Sequence, residues 1–108
     1  MRKDAKRLSE LMALLANENR LLILETLLDG PRTVGEIAQQ VPDITAPALS
    51  QHLQKLRAGH MICSEKQAQY VRYSICDAHL RDLMDFLRRE YCTESKTQSP
   101  QIPCTNEK

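Results

Sequence analysis

Tryptophan is absent from this chain, and three tyrosines and one phenylalanine are the only aromatic residues among its 108 positions. A core dominated by large rings is therefore excluded. Leucine supplies most of the apolar bulk, which suits packed helices. So thin a stock of large side chains leads us to expect a homodimer that completes part of its core between subunits. No apolar run reaches the ~18 residues of a membrane-spanning helix, so no membrane partner is expected. The opening segment MRKDAKRLSE lacks the apolar stretch of a secretory signal, which makes a cytoplasmic location the expectation. Four cysteines without such a signal argue against a disulfide framework and for reduced thiols, some of them reactive. A glycine-rich phosphate loop, paired carboxylates and a nucleophile–base motif are all missing, so the chain is not expected to be an enzyme.

Net charge is only +1, but it is unevenly spread. Lys55, Arg57, Lys66 and Arg72 against the single acid Glu65 give residues 45–76 a local +3. That block begins with TAPALSQHLQKLRAGHM, where Thr45 can cap a helix and Pro47 fits its first turn. Leu49, Leu53 and Leu56 form one apolar stripe. The opposite arc carries Gln51, Gln54 and Lys55, flanked by Ser50 and Arg57 on one side and His52 on the other. His52 lies near the edge of the stripe and suits packing as well as contact with a partner. Gly59 is the expected C-terminal cap.

Four further helices and a hairpin frame this helix. Leu8, Leu11, Met12 and Leu15 give a first helix from about Asp4 to Ala16. Asn17 caps a second, ENRLLILETLLD, with Leu21, Leu24, Leu27 and Leu28 as its buried face and Gly30-Pro31 as its stop. TVGE at 33–36 has capping-box spacing and opens a short third helix. That helix and the one at 45–58, joined by a tight turn, match a helix-turn-helix. Within residues 61–75, Val71, Tyr73 and Ile75 alternate with Arg72 and Ser74, and the β-branched and aromatic content favours strands, which predicts two strands and a polar tip, EKQAQ, carrying Lys66. Asp77 then caps a last helix bearing Leu80, Leu83, Met84, Leu87 and Tyr91. The expected organisation is one mainly helical domain with a small hairpin wing over residues 1–92 and a flexible tail over 93–108.

The segments LANENRLLILETL, TVGEIAQQV, APALSQHLQKLRAGHMI and QYVRYSI resemble the ArsR/SmtB family of bacterial winged-helix repressors. The resemblance implies a homodimer held by the first and last helices. It also implies recognition helices in successive major grooves of a near-palindromic double-stranded operator. Ser50, Gln51, His52, Gln54, Lys55 and Arg57 would then face DNA. Gln51 and Gln54 would suit adenine edges and Ser50 and Lys55 the phosphates, while Lys66 and Gln69 would reach out from the wing.

What such a protein senses is less fixed. Family members that bind metal or arsenic through cysteines in the third helix have no counterpart here, because TVGEIAQQV contains none. The zinc pattern of the last helix is matched by Asp77 and His79, but Glu90 and Thr93 occupy its second half. No metal and no cofactor are therefore expected. REYC at 89–92 is similar to the persulfide-sensing, HlyU-like branch. That branch pairs the equivalent of Cys92 with a cysteine of the second helix, where Glu25 stands here. The resemblance leaves Cys104 or Cys76 as a second thiol, the latter across the dimer, with Cys63 in the wing strand least suited. A trivalent arsenic site at Cys92 and Cys104, a repressor without an inducer, and a protein-interaction module that binds no DNA are the alternatives.

Overall fold

The computed structural model describes residues 2–91. Its order is α1 (Arg2–Leu15), α2 (Glu18–Leu28), β1 (Arg32–Thr33), α3 (Val34–Gln40), α4 (Ala46–Ala58), β2 (Ile62–Gln67), β3 (Tyr70–Ile75) and α5 (Ala78–Tyr91). Local chemistry sets most of the boundaries. Asn17 Oδ1 accepts from Arg20 N–H, and Thr33 and Glu36 close a reciprocal capping box on α3. Thr45 Oγ1 accepts from Ala48 N–H at the start of α4. Asp77 Oδ1 accepts from the N–H groups of His79 and Leu80 at 2.9 and 3.2 Å, which starts α5.

The core is aliphatic throughout. Ile23, Leu24 and Leu27 of α2, Ile37 of α3 and Leu56 of α4 are fully buried, with Leu49, Leu53, Met61, Ile62, Leu80 and Met84 around them. α2 runs through the middle and packs against α1, α3, α4, α5 and β3. Burying each such side chain stabilises the fold by about 1.5–3 kcal/mol. Leu21 and Leu22 stay exposed, so α2 buries Ile23 where the leucine spacing predicts Leu21. Apolar residues surround this helix, and only the packing of its neighbours selects a face.

The sheet has three strands in the order β1-β3-β2, all antiparallel. The expected hairpin is β2–β3, with Ile62 opposite Ile75 and Gln67 opposite Tyr70. β1 adds only Arg32 and Thr33, opposite Tyr73 and Arg72, and two residues carry no readable periodicity. The turn is tighter than expected. Lys66 lies within β2 opposite Val71, and Ala68 and Gln69 alone form the tip. Ala68 takes φ 58°, the left-handed conformation that a two-residue turn requires and that Gly or Asn adopts at lower cost.

The exit from α4 also differs in detail. Gly59 has an ordinary φ of −84°, and His60, at 63°, is the left-handed residue. The N–H groups of His60 and Met61 donate to the carbonyls of Arg57 and Leu56, the paired bonds of a Schellman cap. Gly59 is the C-cap residue, as expected, and it also serves close approach, since a Cβ there would lie 2.5 Å from Leu14 Cδ1 of α1.

Candidate nucleic-acid interface

α3 and α4 form the helix-turn-helix, and the burial of α4 divides its surface in two. Leu49, Leu53 and Leu56 face the core, while Ser50, Gln51, Gln54, Lys55 and Arg57 are exposed. Lys66 and Gln69 are exposed on the wing that follows. The wing strand is tied back to the helix-turn-helix by an ion pair of 3.8 Å between Arg72 Nη1 and Glu36 Oε1. Glu36 keeps its carboxyl below the usual range, chiefly by accepting from Thr33 N–H at 2.9 Å and secondarily through Arg72.

His52 stands apart from the exposed arc. It is half-buried, and its Nδ1 accepts from Arg20 Nε at 3.2 Å. Arg20 in turn donates through Nη1 to the carbonyl of Leu14 at 3.2 Å, so His52 sits on a link between α4, α2 and the end of α1. Burial, then the charges of Arg20 and Lys55, push its pKa down and favour the neutral ring. The unfolded chain then takes up this proton before the folded one does. Stability contributed by neutral His52 is complete above the unfolded-state pKa of ~6.5 and is lost as pH falls through the folded value. Between pH 7.5 and 5.5, wild type is expected to lose more stability than His52→Gln, whose amide oxygen still accepts from Arg20. Urea unfolding midpoints at each pH check this, and equal losses would refute it.

The cysteines fall into two groups. Cys92 and Cys104, with the tail, lie outside the described residues. Cys63 of β2 and Cys76, just after β3, are joined by a disulfide, with Cα atoms 5.9 Å apart. The expectation of reduced thiols is corrected at this pair. Register explains it. Cys63 faces Ser74, and Cys76 is two residues further along on the same face of the hairpin. Period-two alternation was the available signal, but it cannot be used before the register is known.

A separate groove of about 270 Å³ runs between α2 and α5, lined by Leu21, Glu25, Met84, Leu87, Arg88 and Tyr91. Glu25 and Tyr91 thus share one groove, and Cys92 is the next residue in the chain. Arg88 Nη1 also reaches Asp29 Oδ1 at 3.3 Å, fastening α5 to the end of α2. Leu8 and Met12 of α1 and Phe86 of α5 are 56%, 46% and 46% exposed, an apolar surface on the two helices expected to pair. Among the described residues, no group of three or more His, Cys, Asp or Glu side chains could hold a metal ion. No described helix is long and apolar enough to cross a membrane.

Residues 17–59 match the family described as bacterial regulatory protein, arsR family. The transcriptional activator HlyU of Vibrio cholerae is 36% identical over 92 residues, 85% of this chain and 84% of that protein. The chain belongs to the arsR family of bacterial regulatory proteins. The structure of reduced HlyU superimposes with a TM-score of 0.80 at 35% identity, covering 86% of this chain and 97% of HlyU. The biofilm growth-associated repressor of Xylella fastidiosa is 31% identical over 89% of this chain and 83% of its own length. A homodimeric winged helix-turn-helix DNA-binding domain from Mycobacterium bovis superimposes with a TM-score of 0.71 at 27% identity, covering 82% of each chain. As an arsR-family transcriptional regulator, this chain carries the winged helix that its sequence implies.

Proposed function

We propose that the protein is a homodimeric repressor that binds a near-palindromic double-stranded operator in the cytoplasm without catalysing a reaction. Its affinity is set by thiol chemistry at Cys92. The observation that carries the DNA-binding reading is the division of α4 into a buried leucine stripe and an exposed arc of Ser50, Gln51, Gln54, Lys55 and Arg57. Such an arc beside an exposed Lys66 and Gln69 suits a major groove flanked by phosphates. The thiol reading is supported by the groove that ends at Tyr91, next to Cys92. Cys76 is engaged by Cys63, which favours Cys104 as the second thiol in this reading.

Fluorescence anisotropy on the duplex upstream of the gene tests both parts. Lys55→Ala is expected to weaken binding for every sequence. It should also lower the slope of log K against log salt by about one for each phosphate no longer neutralised. Absence of salt-dependent duplex binding would leave a protein-interaction module. Treating the reduced protein with an organic polysulfide is expected to weaken binding tenfold or more, about 1.4 kcal/mol. Unchanged affinity would refute the thiol reading. The same loss on adding arsenite, with none from polysulfide, would assign Cys92 and Cys104 to trivalent arsenic.

A further inference from the structure

The bond between Cys63 and Cys76 lies outside the thiol chemistry assigned to Cys92, and its position gives it a role of its own. The residues it encloses, 64–75, run from the third residue of β2 through the wing tip to the end of β3. Buried Ile62 and Ile75 and the Arg72–Glu36 ion pair anchor the base of the wing, but little holds its outer part. Residues 65–71 are all exposed, β1 contributes only two paired residues, and a two-stranded hairpin is marginal by itself in water. At its base, Cys76 leads directly into the cap of α5. There Asp77 accepts from His79 and Leu80, and Arg81 Nη2 donates to the carbonyl of Ile75 at 3.0 Å. A covalent link at this point joins β2 to the start of α5 and closes the wing on itself.

We propose that Cys63 and Cys76 are a reversible dithiol–disulfide site that reacts with low-molecular-weight disulfides and sets the order of the wing. The Cα separation of 5.9 Å lies within the range a disulfide spans, and the hairpin keeps its full register with the bond in place. Cys76 is exposed and Cys63 half-buried, which fixes the order of events. The Cys76 thiolate attacks one sulfur of a reagent R–S–S–R, that S–S bond breaks, and one R–SH leaves with the proton Cys76 gave up. The Cys63 thiolate then attacks the Cys76 sulfur of the mixed disulfide. The second R–S group leaves as R–SH with the proton from Cys63. The two cysteines lose two electrons, and the reagent gains them as two thiols. Excess thiol reverses both steps. The bridged wing is the better ordered, and a pre-ordered wing binds DNA with a smaller entropic loss. This last consequence rests on the reading of the wing as a DNA contact.

The test uses the full chain carrying Cys92→Ser and Cys104→Ser, which leaves Cys63 and Cys76 as its two thiols. The protein is equilibrated with reduced and oxidised glutathione in varying ratio and cleaved with trypsin after alkylation. Peptides 58–66 and 73–81 are expected to be linked under oxidising conditions and free in excess thiol. Hydrogen exchange at amides 64–74 is expected to slow fivefold or more in the bridged form, and operator Kd to fall threefold or more. Adding Cys63→Ser should abolish all three responses. Failure to link the peptides at any ratio would overturn the proposal, as would linkage with unchanged exchange or with an operator Kd equal in both states. Linkage and slowed exchange in a chain that binds no duplex would support the redox site and refute the DNA-binding reading instead.

Discussion

Replacing Gln51 and Gln54 together with alanine is expected to weaken operator binding by a hundredfold or more while leaving binding to unrelated duplex unchanged. Each glutamine can donate and accept at one adenine edge, and each such bidentate pair discriminates by about 1–3 kcal/mol. Two pairs per protomer, repeated by symmetry in a dimer, bring the total loss above the ~2.7 kcal/mol of a hundredfold change. Non-specific affinity is expected to survive because it comes from phosphate contacts, which the proposed reading gives to Ser50 and Lys55. Both side chains are exposed on a helix whose core face is Leu49, Leu53 and Leu56, so stability should stay within about 0.5 kcal/mol of wild type. Competition titrations with operator and random duplex measure the ratio directly. Equal losses on both DNAs would mean that α4 only contacts the backbone.

A second large effect is expected at the exposed apolar residues of α1 and α5. Met12→Glu combined with Phe86→Glu is expected to convert the protein from dimer to monomer and to reduce operator affinity by about 10²–10⁴-fold. Met12 and Phe86 are each 46% exposed in the single chain, so glutamate at either position disturbs no buried contact within the protomer. In a dimer held by α1 and α5, the same positions would bury carboxylates opposite apolar side chains, which costs several kcal/mol. DNA binding weakens because the second half-site is no longer occupied intramolecularly. Sedimentation equilibrium reads the assembly and circular dichroism confirms that the protomer keeps its helices. A wild-type chain that sediments as a monomer, or a variant that remains a dimer, would refute the arrangement.

What could be read from the sequence was whatever depends on near neighbours in the chain. The caps at Asn17, Thr33, Thr45 and Asp77 each involve a side chain and an amide two or three residues away, so residue type and spacing identified them. α4 was legible for a related reason, because its apolar and polar residues separate cleanly around the helix. α2 was not, since LLILETLL is apolar on nearly every side and tertiary contacts alone bury Ile23 and expose Leu21. Ala68 and His60 take positive φ although neither is a glycine. The closure of the hairpin and of the α4 cap imposes those conformations. The pairing of Cys63 with Cys76 depends on strand register, as does the third strand at Arg32–Thr33. At the candidate interface, exposure matched the expected arc at Ser50, Gln51, Gln54, Lys55 and Arg57. His52 turned inward because Arg20, 32 positions earlier, reaches it.

The three residues between α4 and β2 have a mechanical consequence. Gly59 is held against Leu14, His60 and Met61 donate back to the last turn of the helix, and Met61 is itself buried. Among the described residues, the chain therefore contains no hinge between α4 and the base of the wing. α4 and the base of the wing behave as the arm and wrist of one lever, while the exposed residues 65–71 beyond it follow the state of Cys63 and Cys76. In the proposed dimer, a signal at the groove between α2 and α5 would act by swinging this lever relative to its twin, whereas the Cys63–Cys76 bond acts on the wing beyond it. Operator release in that dimer would be a change in the spacing between two reading heads, and a flexible insertion after Gly59 would disconnect the wrist from the arm.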